Sequence, residues 1–290
     1  MPHTKSPLRY PGGKTQLYRF VKSIMDLNNI NGTYIEAYSG GFGIGVELLL
    51  NEDVERVVIN DYDKSIYSVW YSILHHTDAL ISLIEQTPIT IEEWRRQKDI
   101  NINYKNYRNS LENGFSTLFL NRTNRSGIIN AGPIGGYQQN SNYKLDCRFN
   151  KTGLIKKIRM IADKKDRIDL FQLDAVQLID RIPERYDCET SFIFFDPPYY
   201  IQGKNLYTNF YTHKDHEKLA IKISNLEQYY WITTYDYTPQ IQDIYNQFDN
   251  KACTYELLYS AQNKRKATEF LFASEKTNLI SADKVKLSPI

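Results

Sequence analysis

Cysteine is scarce in this 290-residue chain, and the three present, Cys147, Cys188 and Cys253, are far apart and odd in number. That pattern offers neither a disulfide framework nor a pair of metal ligands. His75 and His76 have no cysteine or acidic partner at ligand spacing, so no metal site is expected. Long apolar runs are missing as well, which argues against a membrane-spanning helix, and residues 1–10 lack the apolar stretch of a signal peptide. A soluble, cytoplasmic protein is expected. The G-x-G-x-x-G pattern is also absent. Gly41-x-Gly43-x-Gly45 has the wrong spacing for a pyrophosphate cradle, which argues against a dinucleotide site.

What is present begins with an uneven charge. The net charge is only +2, yet residues 70–167 carry 16 Lys and Arg against 9 Asp and Glu, leaving 20 against 25 elsewhere. A basic middle between acidic flanks suits a segment that faces a polyanion, although a solvated helical surface would give the same balance.

The coarse pattern is α/β. A strand over 34–38 enters the turn Ser39-Gly40-Gly41-Phe42-Gly43, and an apolar run over 44–50 fits a helix. A second buried strand over 56–60 ends at Asp61, and residues 64–74 again have helical spacing. Two successive strand-helix units imply a parallel sheet. From about 76 to 165 the chain turns polar, Asn-rich and helical, with one Gly- and Pro-containing stretch over 121–136. This segment reads as an insertion dividing a domain of residues 1–75 and 166–290. Strands resume at 168–173, 191–195 and 229–234, with helices from 175 and over 239–248. An antiparallel pair over 253–260 and 268–273 closes the chain.

A glycine turn after the first strand lets backbone amides approach a ligand, and a carboxylate ending the second strand can accept from ribose hydroxyls. Gly40, Gly41, Gly43 and Asp61 fit that arrangement, and a cofactor with ribose but no phosphates suits them best. The strongest local signal is Asp196-Pro197-Pro198-Tyr199 after the apolar strand 193–195. Two prolines form a rigid turn that donates nothing, leaving acceptors clustered at the carboxyl end of the sheet. An adenine amine is a poor nucleophile because its lone pair is delocalised. Accepting both of its N–H groups, at Asp196 and the Pro197 carbonyl, lets the nitrogen pyramidalise, and Tyr199 offers a ring for stacking.

These motifs, in this order, resemble the Dam-like, alpha-group family of adenine-specific DNA methyltransferases along nearly the whole chain. Arg9-Tyr10-Pro11-Gly12-Gly13-Lys14 is similar to that family's N-terminal cofactor motif, Glu36 to Gly45 to its glycine motif, Asp61 to its ribose-binding acid, and Asp196 to Tyr199 to its catalytic motif. Further similarity lies in residues 120–127, in Arg148-Phe149-Asn150-Lys151, and in Tyr259-Ser260-Ala261 followed by Glu269. The resemblance implies a Rossmann-like S-adenosyl-L-methionine-dependent sheet with a helical recognition insertion carrying a hairpin between the second and third strands. It implies that Tyr10 contacts the cofactor's adenine region, Lys14 its methionine carboxylate side, Asp61 the ribose and Asp174 the adenine. Glu36, Ser39, Gly40 and Gly41 line the same cofactor. Family members keep a small residue where Phe42 stands, so the path of this turn is a departure.

Within the insertion, Arg122 and Arg125 are candidates for phosphates or guanine edges, and Asn124 and Asn130 for adenine. Lys156 and Lys157 are candidates for phosphate contacts on a helix. The expected function is adenine-N6 methylation of double-stranded DNA by a monomer, with the adenine leaving the stack. A cognate restriction endonuclease is a candidate partner. The alternatives are a nucleotide-dependent oxidoreductase, a non-catalytic nucleic-acid-binding protein, and methylation of RNA or protein. The missing G-x-G-x-x-G, the intact Asp-Pro-Pro-Tyr and the insertion, respectively, weigh against them.

Overall fold

In the computed structural model the described residues are 4–9, 13–104, 111–201, 211–259 and 265–290. Strands β1 (Thr33–Glu36), β2 (Arg56–Asn60), β3 (Ile168–Phe171), β4 (Ser191–Phe195) and β5 (Tyr230–Asp236) pair in parallel. An antiparallel extension adds β7 (Arg265–Ala273), β6 (Lys251–Tyr259) and the short β8 (Ser288–Pro289), giving the order β3-β2-β1-β4-β5-β7-β6-β8. The terminal hairpin is longer than its apolar stretch suggests. Pairing runs from Lys251 opposite Ala273 to Tyr259 opposite Arg265 and takes in polar residues with little strand propensity of their own.

The parallel strands carry apolar residues on both faces because helices cover both sides of the sheet. Side chains alternate between two cores. Tyr34, Val57, Ile59, Phe192 and Phe194 enter one core, and Ile35, Val58, Ile193, Phe195 and Trp231 enter the other. Helices α1 (Tyr18–Leu27), α2 (Gly43–Leu50) and α3 (Lys64–His75) cover the first face. The second face carries α8 (Ala175–Arg181), α9 (His213–Ser224) and α10 (Pro239–Tyr245).

Between β2 and β3 lie α4 (Thr77–Gln86), α5 (Ile91–Tyr104), α6 (Leu111–Thr123) and α7 (Lys151–Ala162). These helices bury Leu80, Trp94, Phe115, Phe119 and Ile158 in the same core as α2 and α3. Where α6 crosses α3, a Cβ on Gly114 would stand 2.5 Å from the Ser68 carbonyl. The polar character of the insertion is partly internal: Asn101 donates to Thr117 Oγ1 at 2.8 Å and Asn113 to Ser68 Oγ at 3.1 Å, all four residues buried. After α6 the chain forms a short hairpin closed by an antiparallel bridge between Asn124 and Pro133.

Candidate active site

The strand order reverses between β1 and β4, and a crevice at the carboxyl ends is the usual ligand position in such sheets. The turn after β1 forms one wall. Gly40 takes φ +45°, donates its N–H to Asp61 Oδ2 at 2.8 Å and accepts Trp70 Nε1 at 3.1 Å. Phe42 is left-handed at φ +48°, and its ring is buried against Tyr34 and Trp70. A Cβ on Gly45 would lie 2.1 Å from that ring, so this turn accommodates its large residue by leaving position 45 bare. Gly43 is also a packing glycine, because a Cβ there would meet Thr15 Oγ1 at 1.9 Å.

The second wall is Asp196, at the end of β4. Thr234 Oγ1 on β5 donates to Asp196 Oδ1 at 2.8 Å, and the Lys14 ammonium lies 3.6 Å from the same oxygen. Both contacts fall on Oδ1, Oδ2 takes no bond from the described residues, and the side chain stays 19 % exposed. Lys14 also meets Glu269 Oε2 at 2.8 Å and the Tyr199 hydroxyl, with its ammonium 5.0 Å from the Tyr199 ring centroid. Tyr199 donates to Glu269 Oε1 at 2.6 Å, and Tyr255 donates to Oε2 at 2.6 Å. Beyond the motif, Asp236 at the end of β5 accepts the backbone N–H groups of Tyr200 and Ile201 at 2.8 and 2.9 Å, bracing the chain behind Tyr199.

Burial pushes the Asp196 carboxyl up to about 6, with Lys14 opposing the rise and Glu269 adding to it. Burial likewise raises Glu36 to about 8 and Asp61 to about 7, the latter helped by Asp63. For Lys14, burial acts to lower the ammonium, but Asp196, Tyr255, Tyr199 and Glu269 outweigh it and hold it well above its usual value. Glu269 resists the effect of its own burial because Lys14 and the two tyrosine hydroxyls keep it below the ordinary carboxylate range. Three carboxyls with raised values beside one crevice are what a site for a polar ligand provides.

The other expected residues divide. Glu36 is buried at the end of β1 and accepts Tyr34 OH at 2.9 Å and Gly45 N–H at 3.3 Å. Gly41 accepts Ser6 Oγ on its carbonyl. Ser39 is corrected from a ligand contact to an internal strap, since its hydroxyl donates to Glu36 O and accepts from Asn60 N–H. Asp174 caps α8 through Val176 N–H at 3.0 Å and remains half-exposed. Tyr10, with Pro11, Gly12, Ser260 and Ala261, lies outside the described residues.

In the insertion, Asn124 is corrected. It is fully buried, accepts Trp94 Nε1 at 2.6 Å and donates to the Ile128 and Ile129 carbonyls at 2.9 and 2.8 Å, so it shapes the hairpin and has no amide edge to offer. Arg125 and Asn130 are exposed on the hairpin. Lys156 is exposed, but Lys157 is half-buried and donates to the Thr4 and Ser6 carbonyls at 2.6 and 3.2 Å. That correction makes Lys157 a tie for the N-terminal segment. Arg122 donates through Nε to the Arg148 carbonyl at 2.7 Å, and burial, then Arg9 and Arg148, push its guanidinium down to about 10. Asn121 holds Arg9 by its backbone at both N–H and C=O, 2.8 Å each, which completes a cluster of three half-buried arginines. Sequence reasoning passed over this cluster because its members come from three distant segments.

Comparison with known proteins matches the chain to a family. The chain is 24 % identical over 229 residues to the Type II methyltransferase M.MjaIII of Methanocaldococcus jannaschii, spanning 72 % of this chain and 73 % of that protein. Two solved structures overlap it broadly at low similarity. One is the PH1948 protein of Pyrococcus horikoshii, described as a candidate RNA methyltransferase, with a TM-score of 0.41, 9 % identity and coverage of 95 % and 87 % of the two chains. The other is the LPL1258 protein of Legionella pneumophila, with a TM-score of 0.32, 13 % identity and coverage of 89 % and 85 %. Neither carries weight at those scores. The model of the D12 class matches residues 10–281, from the segment before Lys14 to beyond Glu269. The chain belongs to the D12 class of N6 adenine-specific DNA methyltransferases, enzymes that place a methyl group on adenine N6 in DNA.

Proposed function

We propose that the methyl donor is S-adenosyl-L-methionine, held along the carboxyl ends of β1 and β2, and that the acceptor is an adenine rotated out of duplex DNA. The observation that carries this reading is Asp196 at the strand-order reversal, with Oδ1 held by Thr234 and Lys14 and Oδ2 left to accept. The residues present fit the donor. Asp61 is half-exposed and uses its two oxygens on only two backbone N–H groups, Gly40 and Asp63, so capacity remains for ribose hydroxyls. Gly40 and Gly41 supply backbone at close range, and Asp174 stands at the neighbouring strand end, where the donor's adenine would come. When bound, the donor supplies an electrophilic methyl group on a cationic sulfur.

The protein's part is then positional and electrostatic. Tyr199 provides a face for the adenine ring, and Asp196 Oδ2 with the Pro197 carbonyl accepts the two amine hydrogens as the nitrogen becomes tetrahedral. An extruded base is needed because an amine stacked inside the duplex cannot reach a carboxylate that is only 19 % exposed. Backbone binding falls to the arginine cluster. Arg9, Arg122 and Arg148 lie together, and none has a carboxylate within ion-pair distance among the described residues. Base reading falls to the hairpin, through Arg125 and Asn130, with Lys156 as an outlying phosphate contact.

Titration calorimetry tests the donor site. Wild type should bind S-adenosyl-L-methionine, and Asp61→Ala should weaken it by about 1–3 kcal/mol for the loss of a charge-assisted hydrogen bond. Native affinity in that variant would remove Asp61 from the site.

A further inference from the structure

Lys14 has two carboxylates to choose between, and its position shows a preference. Its ammonium is 2.8 Å from Glu269 Oε2 but 3.6 Å from Asp196 Oδ1. Glu269 is 1 % exposed, on β7 directly opposite Asp236, and its second oxygen takes the Tyr199 hydroxyl at 2.6 Å. One buried carboxylate therefore touches both the cation beside Asp196 and the ring beyond it. A carboxylate in contact with an ammonium is a weaker acceptor for a third group, because its charge is already compensated.

We infer that Glu269 is a positioning residue that keeps the Lys14 ammonium at 3.6 Å from Asp196, short of a closer ion pair, and fixes the Tyr199 ring by its hydroxyl. This inference rests on the proposed roles of Asp196 and Tyr199 in methyl transfer. Without the Glu269 charge, Asp196 becomes the nearest carboxylate to Lys14, and the pair closes. Asp196 then ionises more easily but accepts more weakly, while the Tyr199 hydroxyl keeps only a neutral, weaker acceptor. The groups facing Asp196 are Lys14 beside it, Thr234 on β5, Glu269 and Tyr255 on the outer strands, Glu36 and Tyr34 on β1, and Tyr199 from its own turn. Of these, Glu269 is the one whose neutralisation both removes a like charge and releases the cation.

The test is single-turnover methylation of a cognate duplex, with the full chain, saturating S-adenosyl-L-methionine and a range of pH. Glu269→Gln should lower the plateau rate about tenfold or more while moving the acid limb to lower pH, with DNA affinity within about twofold of wild type. The double variant Glu269→Gln, Tyr199→Phe should lose less than the product of the two single losses, because both weaken the Tyr199–Glu269 contact. A merely structural role would lower the rate with no movement of the acid limb, and that result would overturn the inference. So would independent, multiplying losses in the double variant. If wild type itself transfers no methyl to DNA, the reading of the site has failed instead, and the positioning is judged by 13C resonances of labelled tyrosine. The Tyr199 Cζ signal should move in Glu269→Gln but not in the surface control Glu275→Gln, and an unmoved signal overturns the contact as well.

Discussion

Beyond the carboxyl end of β4, Lys14 sits between Asp196 and Glu269, so that opposite charges meet. Where the insertion meets the N-terminal segment, Arg9, Arg122 and Arg148 crowd together with no carboxylate in ion-pair range among the described residues, and each of the first two is lowered by burial and then by its neighbours. Paired charges in a buried site fix geometry, which a catalytic acceptor needs before substrate arrives. Like charges left uncompensated hold the protein in a state that an anion relieves, which a polyanion-binding surface needs. The two regions are built on opposite electrostatic rules.

The sharpest way to break this contrast is Asp196→Ala. Loss of the acceptor should reduce the rate of methyl transfer about 10²–10³-fold with donor binding retained, as rapid-quench assays with labelled donor would show. A variant that lost DNA binding instead would place Asp196 with the arginines. The pH dependence is the next largest effect. Asp196 is an acid whose value in the folded protein, about 6, lies above the ordinary one, so it is a carboxylate only above that pH. Activity should fall as pH drops through about 6. Thr234→Val removes a hydrogen bond that favours the ionised form, so it should move that limb upward.

On the other side of the comparison, Arg125→Ala should cost about 1–3 kcal/mol on the cognate duplex and little on a scrambled one, if its guanidinium reads a base edge. Arg148→Ala should weaken both duplexes alike and flatten the salt dependence by about one unit of slope. Filter binding at several salt concentrations separates them, and identical behaviour would dissolve the division between hairpin and cluster. The smallest effects come from the neighbouring lysines. Lys156→Met should change only the salt slope, whereas Lys157→Met should lower the thermal midpoint because it releases the Thr4 and Ser6 carbonyls.

Much of this was legible in the sequence where local chemistry dictates position. The apolar strands at 56–60 and 191–195, the glycine turn and Asp196 stand where their patterns place them, because a parallel strand buried on both faces leaves few alternatives. Helix α9 went unread although its signals are present: Thr212 and Asp215 form a capping box, and His216, Leu219, Ala220 and Ile223 keep helical spacing. Polar residues between them masked the period. The least legible features are contacts between distant segments. Nothing local to Glu269 announces that it meets Lys14 across 255 positions, nor local to Asn124 that its amide is spent on Trp94 and two carbonyls. A side chain's availability is decided by packing, so residue type alone over-assigned Asn124 and Lys157 to DNA and did not show that Arg9, Arg122 and Arg148 cluster.

The central claim is that the carboxylate at the end of β4 accepts the amine of an adenine drawn from DNA. It is tested most directly by incubating the protein with duplex DNA and S-adenosyl-L-methionine carrying a labelled methyl group, then digesting the DNA to nucleosides. The account predicts label in N6-methyladenine alone, with Asp196→Asn lowering its rate of appearance by about 10²-fold or more. Label on another base, or an undiminished rate in Asp196→Asn, would contradict it.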